Sequence, residues 1–139
     1  MTTTAQAGTP PVDLRLMRET AQILLGSDAA PDVKPPTADK LDTLTRTLRG
    51  HLELLAPEVE QAASRLDRES IPRYCARACV VEARGKLRAQ PGPGLSGAAA
   101  YARRLARTLN ALCNHYEGLL STLAKEEVPD GDQSNTLHR

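Results

Sequence analysis

Apolar residues recur along this chain in steps of three and four, and four stretches keep that rhythm long enough to be helices. The first, Asp13 to Leu25, follows Pro10-Pro11, sets Leu14, Met17, Ala21 and Leu24 on one stripe, and stops at Gly26. The second is entered through Thr37, a good N-cap, after the breaker-rich run GSDAAPDVKPPT. Its stripe is Leu41, Leu44, Leu48, Leu52, Leu55, Val59, Ala62 and Leu66, and the phase does not change at Pro57. That continuity predicts one long helix kinked at the proline. A break after Leu55 is the alternative, because proline removes a backbone hydrogen bond and crowds the preceding turn. The third runs from about Ile71 to Ala89, with Ser70 as its cap and Pro72 in the first turn, where a missing N–H costs little. After QPGPGLSG comes the fourth, from about Ser96 to Lys125. Its seam of Ala98, Ala102, Leu105, Leu109, Leu112, Tyr116, Leu119 and Leu123 alternates steps of four and three, as in bundles and coiled coils.

Together these segments predict an all-α fold: an up-and-down four-helix bundle over residues 13–125 with a long, Pro-kinked second helix. Residues 1–12 are expected to form a disordered N-terminal arm and residues 126–139 a disordered tail, both being poor in apolar groups. The 139 residues suffice for one domain with a real core. With no Phe and no Trp, that core must be leucine and alanine; the only aromatics are Tyr74, Tyr101 and Tyr116.

Charge changes the picture by its placement. The net charge is +1, yet residues 71–110 hold eight basic residues against the single acid Glu82. Arg73, Arg77, Arg84 and Arg88 fall within a strip about 60° wide on the third helix. The fourth helix opens with Arg103, Arg104 and Arg107, which a helical hairpin would set beside that strip. Such a surface can dock an acidic protein or another polyanion. The plainer account is a solvated face, or one answered by Glu53, Glu58 and Glu60 on the second helix. The third helix is also apolar on two sides: Ala76, Val80, Ala83 and Leu87 on one, Tyr74, Ala78 and Val81 on the other. No helix of a regular four-helix bundle is central, so the second side argues for an interface with another copy or a helical partner.

Other chemistry finds less support. Cys75 and Cys79 share a helix face at i,i+4, but Cys113 and His115 point about 200° apart, so no four-ligand metal set assembles. The three cysteines are expected to be small buried packing residues, and no metal or cofactor is expected. Gly92, Gly94 and Gly97 match G-x-G-x-x-G, but a helix precedes them where the dinucleotide motif requires a strand. They are expected to make a turn, with Gly97 and Ala98 to Ala100 letting helices approach. His51 and His115 sit at stripe edges and His138 in the tail, without the neighbours of a catalytic set. Nucleic acid is possible through phosphate contacts but disfavoured, since stacking aromatics are missing and the third-to-fourth connection is too long for a helix-turn-helix. The start MTTTAQAGTPP is not a signal peptide, and no apolar run could cross a membrane.

Four segments, PVDLRLMRETAQILL, LDTLTRTLRGHLELLAPEVE, CARACVVEARGKLRA and GAAAYARRLARTLNALCNHYEGLL, resemble an uncharacterised family of small helical proteins from Streptomyces and related actinobacteria, over roughly residues 11 to 120. The resemblance implies a bacterial, cytoplasmic origin and a helical fold, and brings no activity, cofactor or site residue with it. The residues themselves therefore set the expectation. It is a cytoplasmic, non-enzymatic bundle acting by protein–protein association in a regulatory or scaffold role. Its surface would be Arg73, Tyr74, Arg77, Val81, Arg84, Arg88, Arg103, Arg104 and Arg107. The alternative is a DNA-associated regulator gripping phosphates with the same arginines, and a third reading is a small-molecule binder or enzyme subunit using a pocket between the helices.

Overall fold

Three of the four helices begin where a short polar side chain takes a free backbone N–H of the first turn. Asp13 accepts from Leu16 N at 3.1 Å, Thr37 from Lys40 N at 3.2 Å and Ser70 from Arg73 N at 3.2 Å. They open α1 (Leu14–Leu25), α2 (Ala38–Ser64) and α3 (Ile71–Arg88); α4 (Gly94–Glu127) follows. The structure, a computed structural model, describes residues 12–26 and 36–127, and the described residues form no strand. α2 passes through Pro57 without interruption, which disposes of the break after Leu55.

The entry to α4 is backbone chemistry. Gly94 adopts φ +72°, a left-handed conformation that side chains rarely take. A methyl group on Gly97 would lie 2.3 Å from the Gly92 carbonyl carbon. The sequence suggested a helix–helix approach at Gly97; the close approach is to the protein's own turn. Gly97→Ala is accordingly expected to cost about 1–3 kcal/mol. Gly118→Ala, whose new methyl would meet nothing within 4 Å, is expected to stabilise by about 0.5–1 kcal/mol. Denaturation followed by far-UV circular dichroism separates the two, and shifts of the same sign would remove the Gly92 contact as an explanation.

The four helices do not form a square. α2 and α4 are the most extensively packed pair, α1 and α3 flank that pair on opposite sides, and α1 and α3 do not meet. α2 and α4 each touch all three other helices, α4 with the broader contact to α1, so these two form the centre of the bundle. The burial of α4 fits this: besides the expected seam from Ala102 to Leu123, Tyr101, Ala106, Thr108 and Cys113 are buried, while Ala98 is only partly so. The core otherwise follows the apolar stripes, with Leu44 and Leu14 only partly covered at its margin.

The ends differ from expectation at two places. Val12, assigned by sequence to the N-terminal arm, is buried in the core, and α4 carries on through Glu126 to Glu127, past the expected start of the tail. The rest of the expected disordered arm and tail, residues 1–11 and 128–139, lies outside the described residues, as do residues 27–35 of the expected loop before α2.

Two arginines hold helix C-termini, where backbone carbonyls lack intrahelical donors. Arg49 of α2 donates to Leu87 O at 2.8 Å and to the Tyr101 hydroxyl, which donates in turn to Lys86 O at 2.9 Å. Arg73 of α3 donates to Ser64 O at 3.3 Å and Leu66 O at 3.0 Å, closing the end of α2. On the other side, Thr20 spends its one hydroxyl proton on Leu16 O at 2.9 Å. The same hydroxyl lies 3.4 Å from His51 Nε2, a contact in which a protonated Nε2 would be the donor. Burial lowers the His51 pKa from its ordinary value, against an opposing pull from Asp13.

Candidate interaction surface

α3 buries Ala76, Cys79, Val80 and Ala83 and turns its opposite side to solvent. On that side Ile71 is 73% exposed, Tyr74 75% and Val81 68%. With Ala78 they recur at steps of three and four, one continuous apolar strip along the helix. Beside it, Arg68, Arg73 and Arg77 join Tyr74, Ala78 and Val81 in lining a shallow depression. Ile71 and Arg68 extend the surface beyond the residues that sequence reasoning named. The signal for Ile71 was present, since it keeps phase with Tyr74, Ala78 and Val81; Arg68 sits in the α2–α3 turn, where periodicity says nothing.

The basic residues are divided between two flanks of α3 instead of lying side by side. Arg73, Arg77 and Arg84 occupy the α2 flank. Arg84 pairs with Glu60 at 2.9 Å. The Glu60 carboxyl is held below its ordinary value first by that hydrogen bond, with the charges of Arg84 and Arg77 adding and burial opposing. Arg73 is engaged with the end of α2, as described above. The α4 arginines face elsewhere: Arg104 and Arg107 line the groove on the other flank together with Glu82 and Lys86. Arg88 is exposed at the last turn of α3, and Arg103 is half-buried on α4. One face thus brings together Arg73, Tyr74, Arg77 and Val81, and the remaining five of the expected set lie off it.

The cysteines also separate. Cys79 and Cys113 are buried, and burial first of all pushes each thiol up to about 11, so both are neutral, inert packing groups. Cys75 is exposed, contrary to the expectation that all three are buried, because it lies toward the solvent side of α3. Among the described residues no three His, Cys, Asp or Glu side chains come together as a metal site would need. Among them, too, no helix is long and apolar enough to cross a membrane.

What fold and surface define is an all-helical bundle with one apolar, arginine-bordered helix face left exposed among the described residues. The chain belongs to a family of unknown function, DUF6415, whose model matches residues 15–121, from the second residue of α1 to near the end of α4. No curated protein and no solved structure matches it.

Proposed function

We propose that this protein works by protein–protein association, docking an acidic amphipathic helix of a partner protein along the outer face of α3. It would do so in a regulatory or scaffold role in the cytoplasm of an actinobacterium, with no enzymatic activity of its own. The observation that supports the reading is the exposed strip of Ile71, Tyr74, Ala78 and Val81 bordered by Arg68, Arg73 and Arg77. Covering such a strip returns roughly 25 cal/mol per Å² of apolar surface, and tyrosine and arginine are the side chains that most often anchor interfaces.

Charge selects the occupant. Arg68, Arg73 and Arg77 line the depression beside the strip with no acid among its lining residues, so an acidic helix meets attraction along that border. An antiparallel two-fold pairing of α3 with a second copy would set the arginine flanks of the two copies side by side. The α3 arginines suit duplex DNA less well, because Arg84 is already answered by Glu60 and the α4 arginines lie on the other flank.

A photo-crosslinking amino acid at position 74, introduced in the native cell, identifies the neighbour, and the purified pair then gives the affinity. Val81→Asp is expected to weaken binding by at least about tenfold. Arg77→Glu is expected to slow association and flatten its salt dependence, while Arg15→Ala on α1 leaves both unchanged. The reading fails if the cross-linked species is only a dimer of this chain, or if Val81→Asp binds as the wild type does.

A further inference from the structure

Four threonines on the helices, Thr20, Thr43, Thr47 and Thr122, each donate the hydroxyl to the carbonyl one turn back. Thr108 does not. It is only 5% exposed, and its hydroxyl has no hydrogen-bond partner among the described residues. Buried hydroxyls are rarely left so, because an unmade hydrogen bond forfeits the water it displaced. Thr108 lines the groove between α3 and α4, a depression of about 370 Å³ shared with Glu82, Lys86, Arg104, Arg107 and Ala111. Lys86 Nζ lies 3.2 Å from Glu82. Arg104 and Arg107 have no acid within ion-pairing distance among the described residues. The groove therefore gathers three cations, one carboxylate that answers one of them, and an uncommitted hydroxyl.

We infer that this groove binds the phosphate group of a small phosphorylated molecule. A phosphate offers several acceptor oxygens at once. Two can take the planar forks of Arg104 and Arg107, and a third can accept the Thr108 proton. A carboxylate is planar, with two oxygens, and matches one fork but not a hydroxyl and two guanidinium groups together. A metal ion is excluded by the sign of the charge. The site is separate from the outer face of α3: neither Tyr74 nor Val81 lines it.

The test uses the full chain in phosphate-free buffer at fixed ionic strength, read by thermal unfolding and calorimetry. The probes are inorganic phosphate, glycerol 1-phosphate and adenosine monophosphate, with chloride as the control. A saturable rise in Tm with phosphate or a phosphomonoester, absent with chloride, is expected for the wild type. Thr108→Val and Arg107→Gln should each weaken that binding by about tenfold or more. Thr108→Val should unfold no earlier than the wild type in phosphate-free buffer, since valine keeps the shape and loses an unpaired hydroxyl. Tighter binding of a monoester than of inorganic phosphate assigns the ligand an organic body; equal binding assigns free phosphate. No saturable rise at millimolar phosphate would overturn the inference, as would equal binding by both variants. So would a Thr108→Val protein less stable than wild type, because that hydroxyl would then have an internal partner. Binding of duplex DNA with no binding of any small phosphate would also overturn it. Val81→Asp should leave phosphate binding intact, so this site and the α3 docking face fail independently.

Discussion

Leu109→Ala will remove about 3–5 kcal/mol of folding free energy, while Leu120→Ala on the same helix will remove well under about 1 kcal/mol. Leu109 is fully buried and Leu120 is 36% exposed, eleven positions further along α4. The difference is one of environment. Leu109 belongs to the seam of α4, which packs against all three other helices, so no single neighbour can settle into the space a leucine leaves. The lost transfer energy is then joined by the cost of a cavity. A chain of this size has about 5–15 kcal/mol to lose, so the substitution takes a large share of it. Urea denaturation followed at 222 nm measures both variants, and the midpoint of Leu109→Ala should fall with the slope unchanged. Equal losses at the two positions would mean that α4 is not the shared wall of the core.

The helices were legible because they are written in local terms. Thr37 and Ser70 are cap residues, and Leu41 to Leu66 hold one phase through Pro57. Ala98 to Leu123 spell a seam that needs no tertiary knowledge to read. Val12 escaped because a single buried residue before a helix has no period to betray it. Cys75 and Cys79 share a face in a helical wheel, yet α3 places its solvent boundary between them, and that boundary is set by where α2 and α4 lie.

The candidate surface was half legible for the same reason. Helical spacing correctly put Tyr74, Ala78 and Val81 opposite the core face of α3, and both sides of that statement are local. Whether Arg77 and Arg107 approach one another is not local. Arg73, Arg77 and Arg84 lean toward α2, where Glu60 and the open carbonyls of Ser64 and Leu66 attract them. Arg104 and Arg107 sit across the exposed strip on the α4 side. A one-dimensional charge count adds these groups into one patch; the two flanks of a single helix keep them apart. Thr108 is the same lesson in reverse, since its missing bond is visible only once α3 covers it.

Arg49 is where a residue unremarkable in sequence should matter most among the polar groups. It looks like one more solvated cation on α2, but its half-buried guanidinium spans the C-terminal carbonyl of Leu87 and the Tyr101 hydroxyl. It therefore ties α2, α3 and α4 at one point and places a positive charge at the negative end of a helix. Hydrogen bonds involving a charged donor contribute about 1.5–3 kcal/mol each, and Leu87 O, partly exposed, can recover some of its loss from water. Arg49→Leu is therefore expected to cost about 2–4 kcal/mol. Tyr101→Phe keeps the buried ring but leaves Lys86 O with only the Ala89 N–H at 3.2 Å and strands one guanidinium N–H, for about 1–3 kcal/mol. Arg49→Lys should recover only part of the loss, because an ammonium cannot reach both acceptors with the geometry of a fork. The two residues share one network, so the double variant should lose less than the sum of the singles by at least about 0.5 kcal/mol. A double-mutant cycle in urea measures that coupling. Strict additivity, or an Arg49→Leu protein as stable as the wild type, would show that the end of α3 is held by packing alone, with the guanidinium merely resting against it.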